Sequence, residues 1–338
     1  MKSFKKFSHI ENGYQTEYIN KVKEINGKDA LYVCQEKVDG SNFSFIVGRN
    51  ESGIVEVSCG KRSAELSPNE YFEGWQLLLA RYQEKIINLF ELIEKRYDCS
   101  EGVNIFGEIF GGVYKGMKQL EKAILGRIHY SPQHEFYGFD IYIPSVGYLS
   151  PIETVELFNA ADVFCAENMF MGTLDECLAL NPVFQSTIGT RLGFEPIEGN
   201  NAEGYVIKPI IPSYFPNGER IIIKHKNPKY REVCKERKVP KEVELSNTLV
   251  TLCENVEDYV NDNRLVNVIS HIGEVTFPNG FGKVMKELTA DVYQEFIDEN
   301  TENRTVYTSL SPDEQNKFRK HVGKICGNLI KEKYMSTI

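Results

Sequence analysis

A lysine followed two positions later by a carboxylate and then a glycine stands near the start of the chain, in Lys37-Val38-Asp39-Gly40-Ser41-Asn42. Apolar runs at 31–33 and 43–47 flank it, and the second alternates large apolar with small polar residues, as a strand does. A lysine amine attacks an electrophile only after losing its proton, which burial and nearby positive charge favour because both lower its pKa. Alone, the segment also fits a hairpin turn at Asp39-Gly40 with a solvated lysine, so both interpretations stay open at this point.

Positive charge that could act on such a lysine lies far downstream, in the segment Ile221–Asn227. Its apolar start indicates a strand, and the period of two places Lys224 and Lys226 on one face. Two lysines on one face beside apolar residues suit the binding of phosphate groups. The alternative is an edge strand whose lysines face solvent.

Three further segments place charged residues among the aromatic and branched residues typical of strands. They are Ile105–Gly112 with Glu108, Phe136–Tyr142 with Asp140, and Ala202–Lys208 with Glu203 and Lys208. A single carboxylate in such a strand usually faces solvent. Several segments of this kind in one chain predict a shared polar pocket, to which each contributes a charged side chain.

Taken in order, these segments resemble the covalent nucleotidyltransferase superfamily of ATP-dependent ligases and capping enzymes. Within it, the chain most resembles the RNA ligase 2 family of bacteriophages and of kinetoplastid RNA editing, so a bacteriophage origin is one expectation. The segments Phe4–Asn12 and Asn263–Glu274 are also similar to that family, and the resemblance covers nearly the whole chain. One departure is Asp39, where that family usually has histidine; another is Ser41, where it often has threonine. Aspartate is the commoner superfamily residue at the first position.

The resemblance implies an α+β fold in two domains. Residues 1–243 would form the nucleotidyltransferase domain, which is ATP-grasp-like, with antiparallel sheets flanked by helices. Residues 244–338 would form a small all-helical domain that orients the nucleic acid. DNA ligases and capping enzymes of the superfamily typically carry a β-rich OB-fold at this place, so a helical end favours the RNA ligase branch.

The resemblance also implies a reaction and its residues. Lys37 would attack the α-phosphate of ATP to form lysyl-AMP, and AMP would pass to an RNA 5′-phosphate before a 3′-hydroxyl seals the break. Lys224 and Lys226 would stabilise phosphate charge and help to lower the pKa of Lys37. Glu203 would hold Mg²⁺ or Mn²⁺. The remaining nucleotide-binding positions are Glu108 at the ribose, Phe139 and Val206 on either side of adenine, Arg62 at phosphate, and Glu36, Asn42, Asp140 and Lys208 as further members of the motifs.

Composition and local patterns exclude several other classes. The 338 residues contain no apolar run long enough for a membrane span, no G-x-x-x-x-G-K-[ST] loop and no H-E-x-x-H. The eight cysteines form no C-x-x-C pair, which favours reduced thiols over zinc or disulfides. The N-terminus lacks the apolar core of a signal peptide. We therefore expect a cytoplasmic monomer, in the host cytoplasm if the protein is viral, with no membrane partner.

The net charge of −9 conceals a basic segment. Lys224–Lys241 contains eight lysines and arginines against Glu232 and Glu236. Its composition fits a solvated linker and also a segment that binds a nucleic-acid backbone. The expected partner is RNA with 3′-hydroxyl and 5′-phosphate ends, in nicked duplex form.

Segments with helical periodicity become predominant after residue 244. Before it, helices are predicted at 69–95 and 152–180 among short strands. After it, apolar stripes at helical spacing predict buried faces, and Ser311-Pro312-Asp313-Glu314 predicts a capped helix start. The stripes are Leu249, Leu252, Cys253, Val256 and Val260; then Leu265, Val268, Ile269 and Ile272, ended by Gly273; then Phe318, Val322, Ile325, Leu329 and Ile330.

Three other functions share these features. A capping guanylyltransferase would use the same lysine chemistry with GTP, and a DNA ligase would seal DNA. A non-catalytic homologue would only bind nucleotide or RNA. Labelling with ATP or GTP, and sealing of nicked RNA or nicked DNA, separate them.

Overall fold

The computed structural model describes residues 2–231 and 245–334, with the side chains of the second range described from residue 248 onward. Compactness divides the chain into two units, Met1–Lys229 and Tyr230–Ile338. The boundary predicted at 243/244 falls at residues 232–244, outside the described residues, as does most of the basic segment Lys224–Lys241. In the described ranges, no helix is long and apolar enough to cross a lipid bilayer.

Two sheets form the framework of the first unit. Their strands are β1 (Glu11–Asn12), β2 (Leu31–Glu36), β3 (Ser41–Arg49), β4 (Val55–Lys61), β5 (Ala64–Glu65), β6 (Val103–Val113), β7 (Ser131–Ile143), β8 (Gly147–Tyr148), β9 (Phe170–Thr173), β10 (Gly204–Pro209) and β11 (Ile223–Lys226). The first sheet has the order β1-β11-β10-β2-β9, and the second has the order β5-β4-β3-β6-β7-β8. Neighbours run antiparallel, except that β1 and β11 pair in parallel.

Helices flank these sheets, as the predicted α+β class requires. They are α1 (Thr16–Asn26), α2 (Trp75–Glu94), α3 (Pro151–Ala160), α4 (Leu174–Ala179) and α5 (Ile188–Arg191). Buried residues of β3, among them Phe43, Phe45 and Val47, share one core with the apolar face of α2. This core fixes the position of the second sheet, and the predicted class is confirmed.

The helix predicted at 69–95 is confirmed over Trp75–Glu94. The helical stretch predicted at 152–180 is wrong in its middle, because α3 ends at Ala160 and β9 follows before α4 begins. Strand β9 pairs with the edge of β2. Its backbone hydrogen bonds to a strand more than a hundred positions earlier override the local pattern, which periodicity alone does not reveal.

The segment between β2 and β3 crosses from one sheet to the other. β2 belongs to the first sheet and β3 to the second, so the hairpin interpretation of Asp39-Gly40 is wrong. Gly40 permits the crossing, since a Cβ there would lie 2.4 Å from the carbonyl oxygen of Ile109. Lys37 consequently lies where residues of the two sheets come together.

The second unit is helical in its described part. Its helices are α6 (Leu245–Glu257), α7 (Asp262–Ile272), α8 (Phe281–Tyr293), α9 (Thr301–Ser309) and α10 (Pro312–Tyr334). The predicted stripes pack into one core with α8. Gly273 caps the end of α7 with positive φ. The predicted capping box is present, because Glu314 N–H donates to Ser311 Oγ and Ser311 N–H donates to the Glu314 carboxylate.

Candidate active site

A pocket is lined by residues of both sheets. Its lining residues are Phe7, Ile10, Gln35, Glu36, Lys37, Val38, Glu108, Tyr137, Phe139, Ala166, Val206, Lys208 and Ile222. The structure therefore brings together most of the predicted site residues, from segments spread over nearly two hundred positions of the sequence.

Lys37 follows β2 directly, and its backbone N–H donates to the carbonyl of Gly204 at 2.8 Å. Its side chain is 15% exposed, and its Nζ lies 2.7 Å from Glu203 Oε2. Burial by itself would lower the pKa of Lys37, but the carboxylates of Glu203 and Glu108 outweigh burial and Lys226, so the pKa is raised. Lys226 thus lowers the pKa of Lys37, as expected, but the two carboxylates outweigh this effect.

The carboxylate of Glu203 lies between the amines of Lys37 and Lys226. Glu203 is 2% exposed, and its Oε1 lies 2.7 Å from Lys226 Nζ while its Oε2 contacts Lys37. Burial would raise the pKa of Glu203, but Lys226, Lys37 and Arg127 together lower it to about 2. Glu203 therefore stays ionised and balances the charge of both lysines.

Lys224 and Lys226 share one face of β11, as the period of two predicted. The register pairs Lys224 with Val206 and Lys226 with Gly204 on β10. Lys226 is buried against Glu203, whereas Lys224 is half-buried beside Val206, which lines the pocket. The two lysines are thus placed differently: one within the buried charge cluster, the other next to the pocket wall.

Glu108 lines the pocket from β6. Its Oε2 is buried and makes no hydrogen bond within the described residues. Desolvation raises the pKa of Glu108 to about 7; Lys37 opposes this rise, and the carboxylates of Glu203 and Asp39 add to it. A buried carboxylate oxygen without a donor is an acceptor available to a hydroxyl or a cation.

Phe139 and Val206 both line the pocket, one from each sheet. Both pack against the small core of Phe7, Phe106, Tyr148 and Ile222. The Phe7 and Phe139 rings lie 5.2 Å apart between centroids. An aromatic face and a branched aliphatic side chain, held in place by one core, form walls suited to a flat heterocycle.

Asp140, the residue after Phe139 on β7, belongs to a group of buried charged side chains. Asp140 accepts two hydrogen bonds from the Arg220 guanidinium, each at 2.8 Å, and lies 3.1 Å from Lys208 Nζ. Lys208 Nζ also donates to the carbonyl of Phe139 at 2.7 Å. Burial lowers the pKa of Lys208 to about 8, against the effect of Asp140. Arg220 was not predicted. The sequence signal for it is Asp140, because a carboxylate within an apolar strand needs a positively charged partner when it is buried.

Of the other predicted nucleotide-binding residues, Glu36 lines the pocket, whereas Asn42 and Arg62 are not among the lining residues. The Glu36 carboxylate is buried and accepts hydrogen bonds from Ser186 and Thr187. Burial raises its pKa, which these hydrogen bonds oppose. Asn42 is half-buried on β3, directly opposite Glu108. Arg62 lies in the tight turn between β4 and β5 and is not among the residues that line the pocket.

Asp39 forms a two-point ion pair with Arg127, a residue that the sequence analysis missed. Arg127 Nε donates to Asp39 Oδ2 at 2.9 Å, and its Nη2 donates to Oδ1. The Asp39 backbone N–H donates to the hydroxyl of Tyr130 at 2.9 Å. Desolvation and the charge of Glu203 raise the pKa of Asp39, and Arg127 opposes this rise. Arg127 lies 88 positions away in sequence, in a segment without helical or strand periodicity.

The residues around Lys37 fit a divalent cation. Glu203 and Glu108 supply carboxylate oxygens, the donors that Mg²⁺ and Mn²⁺ prefer. Glu108 Oε2 is buried without a hydrogen-bond donor among the described residues. Asp39 adds a third carboxylate charge close enough to affect the pKa of Glu108. The metal role of Glu203 stays a prediction.

Comparison with known proteins identifies the family. The family model described as RNA ligase matches residues 30–226, and the model described as T4 RNA ligase 2 C-terminal matches residues 243–328. RNA-editing ligase 1, mitochondrial, of Trypanosoma brucei brucei is 27% identical over 336 residues, covering 79% of this chain and 70% of its own. RNA-editing ligase 2, mitochondrial, of the same organism is 27% identical over 327 residues, covering 81% and 77%.

Among solved structures, Naegleria gruberi RNA ligase with PPi is similar, with 19% identity and a TM-score of 0.45. The match covers 67% of this chain and 57% of that one. Other structures of the Naegleria ligase are named with ATP and Mn or with AMP and Mn. The two curated relatives are trypanosome proteins, so they lend no support to a bacteriophage origin.

The two family models together cover most of the chain, in the order that the motifs predicted. The first alone matches more than half of it. The predicted family and enzyme class are confirmed: the chain belongs to the RNA ligase family, in its RNA ligase 2 branch.

Proposed function

We propose that this chain is an ATP-dependent RNA ligase that joins 3′-hydroxyl and 5′-phosphate ends through lysyl-AMP and an adenylylated RNA end. One observation carries the proposal. The amine of Lys37 lies at a pocket that is lined by Glu108, Phe139 and Val206, with the buried Glu203–Lys226 pair beside it. Nucleotide activation needs a nucleophile, an acceptor for the ribose hydroxyls, two apolar walls for the base and a lysine that binds phosphate.

In the first step, Lys37 loses a proton and its nitrogen attacks the α-phosphorus of ATP. The N–P bond forms as the bond to pyrophosphate breaks, and the nitrogen releases its second proton to leave a phosphoramidate whose nitrogen is uncharged. Adenine would lie between Phe139 and Val206, with the ribose at Glu108. Lys224 and Lys226 would stabilise the phosphate charge, which is the main task of a protein in displacement at phosphorus.

The next two steps are also displacements at phosphorus. An oxygen of the RNA 5′-phosphate attacks the phosphorus of AMP, and the amine of Lys37 leaves and takes up protons again. The 3′-hydroxyl then attacks the 5′-phosphorus, AMP leaves and the hydroxyl proton is released. Each step needs the reacting atoms in line, which the rigid connection of Lys37 to the first sheet supports.

Glu203 and Glu108 would hold a divalent cation. Bound there, Mg²⁺ or Mn²⁺ would supply positive charge to the phosphates and reduce the hold of Glu203 on Lys37. The chain's own contribution is a buried, permanently ionised carboxylate at Glu203 and an acceptor oxygen at Glu108.

The substrate proposed is nicked duplex RNA, held by the basic segment Lys224–Lys241 and oriented by the second unit. A monomer acting in the cytoplasm, or in the host cytoplasm if viral, remains the proposed state. The trypanosome relatives are named as mitochondrial and as RNA-editing ligases.

Covalent self-labelling tests the proposal. The full chain, incubated with magnesium and ATP labelled at the α-phosphate, is expected to keep AMP through denaturation in an acid-labile, alkali-stable bond. Lys37→Ala should abolish the label, and Lys21→Ala on the exposed surface of α1 is the matched control. A label that persists in Lys37→Ala would reject the assigned nucleophile.

Labelling and sealing assays together separate the alternative functions. Labelling by GTP rather than ATP would indicate a capping guanylyltransferase. Equal or faster sealing of nicked DNA than of nicked RNA would indicate a DNA ligase. Nucleotide binding without any covalent label would indicate a non-catalytic homologue.

A further inference from the structure

We infer that Arg127 is a positioning residue for adenylylation: it holds Asp39, and through Asp39 it fixes the segment that carries Lys37. The inference rests on the proposed function, because it assigns a role in the reaction of Lys37. It concerns a residue that lies outside every motif recognised in the sequence.

The contacts of Arg127 and its neighbour Tyr130 hold Asp39 at three points. Two nitrogens of the guanidinium donate to the two carboxylate oxygens. The Tyr130 hydroxyl accepts the backbone N–H of Asp39 at 2.9 Å, and Tyr130 is only 1% exposed. Side chain and backbone of Asp39 are therefore both tied to the connection between β6 and β7.

The same short segment is also held on its other sides. The Lys37 N–H donates to Gly204 on the first sheet at 2.8 Å. Gly40 packs so closely against β6 that a Cβ would lie 2.4 Å from Ile109 O. Residues 37–40 thus have three anchors: the first sheet, the second sheet and the 127–130 connection. Releasing the third anchor leaves the crossing segment free to rotate about the other two.

Charge makes the third anchor important. Asp39 is 3% exposed, and a buried carboxylate that loses its partner carries an uncompensated charge. The neighbouring carboxylates of Glu203 and Glu108 already repel Asp39. Without Arg127, Asp39 is expected to move away from them, and the backbone between Asp39 and Lys37 contains only Val38. A displacement of about 1 Å in such a place can cost roughly 100-fold in rate.

The test is single-turnover labelling of the full chain with ATP and magnesium, as a function of ATP concentration. Arg127→Gln and Asp39→Asn are each expected to lower the rate at saturating ATP by about 10- to 100-fold, while the half-saturating ATP concentration changes little. The double variant should be no slower than the slower single variant, because both substitutions remove one interaction. Arg127→Lys keeps the charge but not the two-point geometry and should recover only part of the rate.

Arg49→Gln is the matched control. Arg49 makes a similar two-point pair with Glu94, at 2.8 and 2.7 Å, on the exposed surface of the same unit. This variant is expected to label at the wild-type rate. It measures what the loss of a two-point arginine pair does to the unit when the pair does not contact the nucleophile's segment.

The outcomes are distinct. If the wild type labels and folded Arg127→Gln labels at the same rate, the inference is wrong and the proposed function stands. A rise in half-saturating ATP without a change in maximal rate, or multiplicative effects in the double variant, also overturns it. If Arg127→Gln does not fold, Arg127→Lys decides, and a wild-type rate there overturns the inference. If the wild type does not label, the proposed function fails and the inference fails with it.

Discussion

Glu203 contacts Lys37 with one carboxylate oxygen and Lys226 with the other, each at 2.7 Å. Period-two spacing placed the two downstream lysines correctly on one face, but their effect on Lys37 passes through this carboxylate. An anion beside the amine holds it in its protonated form, so the pKa of Lys37 is raised. Activation of the nucleophile therefore requires that the influence of Glu203 be reduced when the nucleotide binds.

Lys224 and Lys226 on β11 are expected to accelerate the formation of lysyl-AMP. Lys226→Ala and Lys224→Ala should each slow labelling by about 100- to 1000-fold, because each would remove a fixed positive charge near the phosphates. Lys226→Ala should also lower the free energy of unfolding, since Glu203 would lose a buried partner. Single-turnover labelling and urea unfolding measure the two effects. Labelling at the wild-type rate in both variants would show that these lysines take no part in the reaction.

The buried pair of Asp140 and Arg220 yields a stability prediction with a defined pH dependence. Asp140→Asn leaves Arg220 and Lys208 buried without their carboxylate and should lower the free energy of unfolding by about 3–5 kcal/mol near pH 7. Burial would raise the pKa of Asp140, but Arg220 and Lys208 outweigh it and the pKa is lowered from 3.8. The stabilisation is therefore complete above pH 3.8 and is lost as the pH falls through the folded-state pKa.

Urea unfolding of wild type and Asp140→Asn between neutral and acidic pH checks this. The difference in free energy of unfolding between the two proteins should stay constant from neutral pH downward and become smaller only at the acidic end. Asp162→Asn is the control, because Asp162 pairs with Lys85 while 90% exposed. A difference that widens as the pH falls would contradict the assigned direction.

At the scale of elements, the crossing of residues 37–40 between the two sheets determines the site. Lys37 follows β2 directly, β10 supplies Val206 and Lys208, and β6 and β7 supply Glu108 and Phe139. Each strand is recognisable from its own residues. Which strands pair, and that β2 and β3 do not, depends on backbone hydrogen bonds and core packing between distant segments.

In the helical unit, one buried arginine links three elements. Arg264 is 1% exposed; its Nε donates to the carbonyl of Tyr259 at 2.6 Å, and its guanidinium pairs with Asp291 and Glu295. It lies in the segment Asn263–Glu274 that resembles the RNA ligase 2 family. Its described contacts are structural, because they join α7 to α8 and to the segment that follows.

Arg264→Ala is expected to destabilise the helical unit by about 3–5 kcal/mol, because the buried carboxylate of Glu295 would lose its ion pair with Arg264. Labelling by ATP should stay near the wild-type level, whereas sealing of nicked RNA should fall. Circular dichroism on heating, together with both assays, tests this. Arg304→Ala, at an exposed position of α9, is the control. Loss of labelling in folded Arg264→Ala would show that the helical unit takes part in nucleotide activation.

At the scale of the molecule, the chain forms two compact units with separate cores. Every residue of the pocket belongs to the first unit. The fragment 1–243 is therefore expected to fold and to form lysyl-AMP at nearly the wild-type rate. It should seal nicked RNA poorly, because RNA ends that are no longer oriented meet in line only rarely.

Measuring both activities on the purified fragment tests this division. The fragment keeps the basic segment Lys224–Lys241, so a loss of sealing would reflect lost orientation rather than lost charge. The full chain at equal concentration is the reference. A fragment that seals as well as the full chain would falsify the division of labour.

The sequence by itself determined the chemistry and the order of the parts. The order of the charged segments and their resemblance to the family predicted Lys37, Glu108 and Glu203 as site residues. Helical spacing identified the stripes of the second unit, because that signal is local. Only the tertiary structure showed the Arg127–Asp39 and Arg220–Asp140 pairs and the strand β9. Such contacts join residues far apart in the chain, and no local period encodes them. The direction of the Lys37 pKa shift also depended on tertiary structure, because Coulomb interactions follow distance and burial rather than residue order.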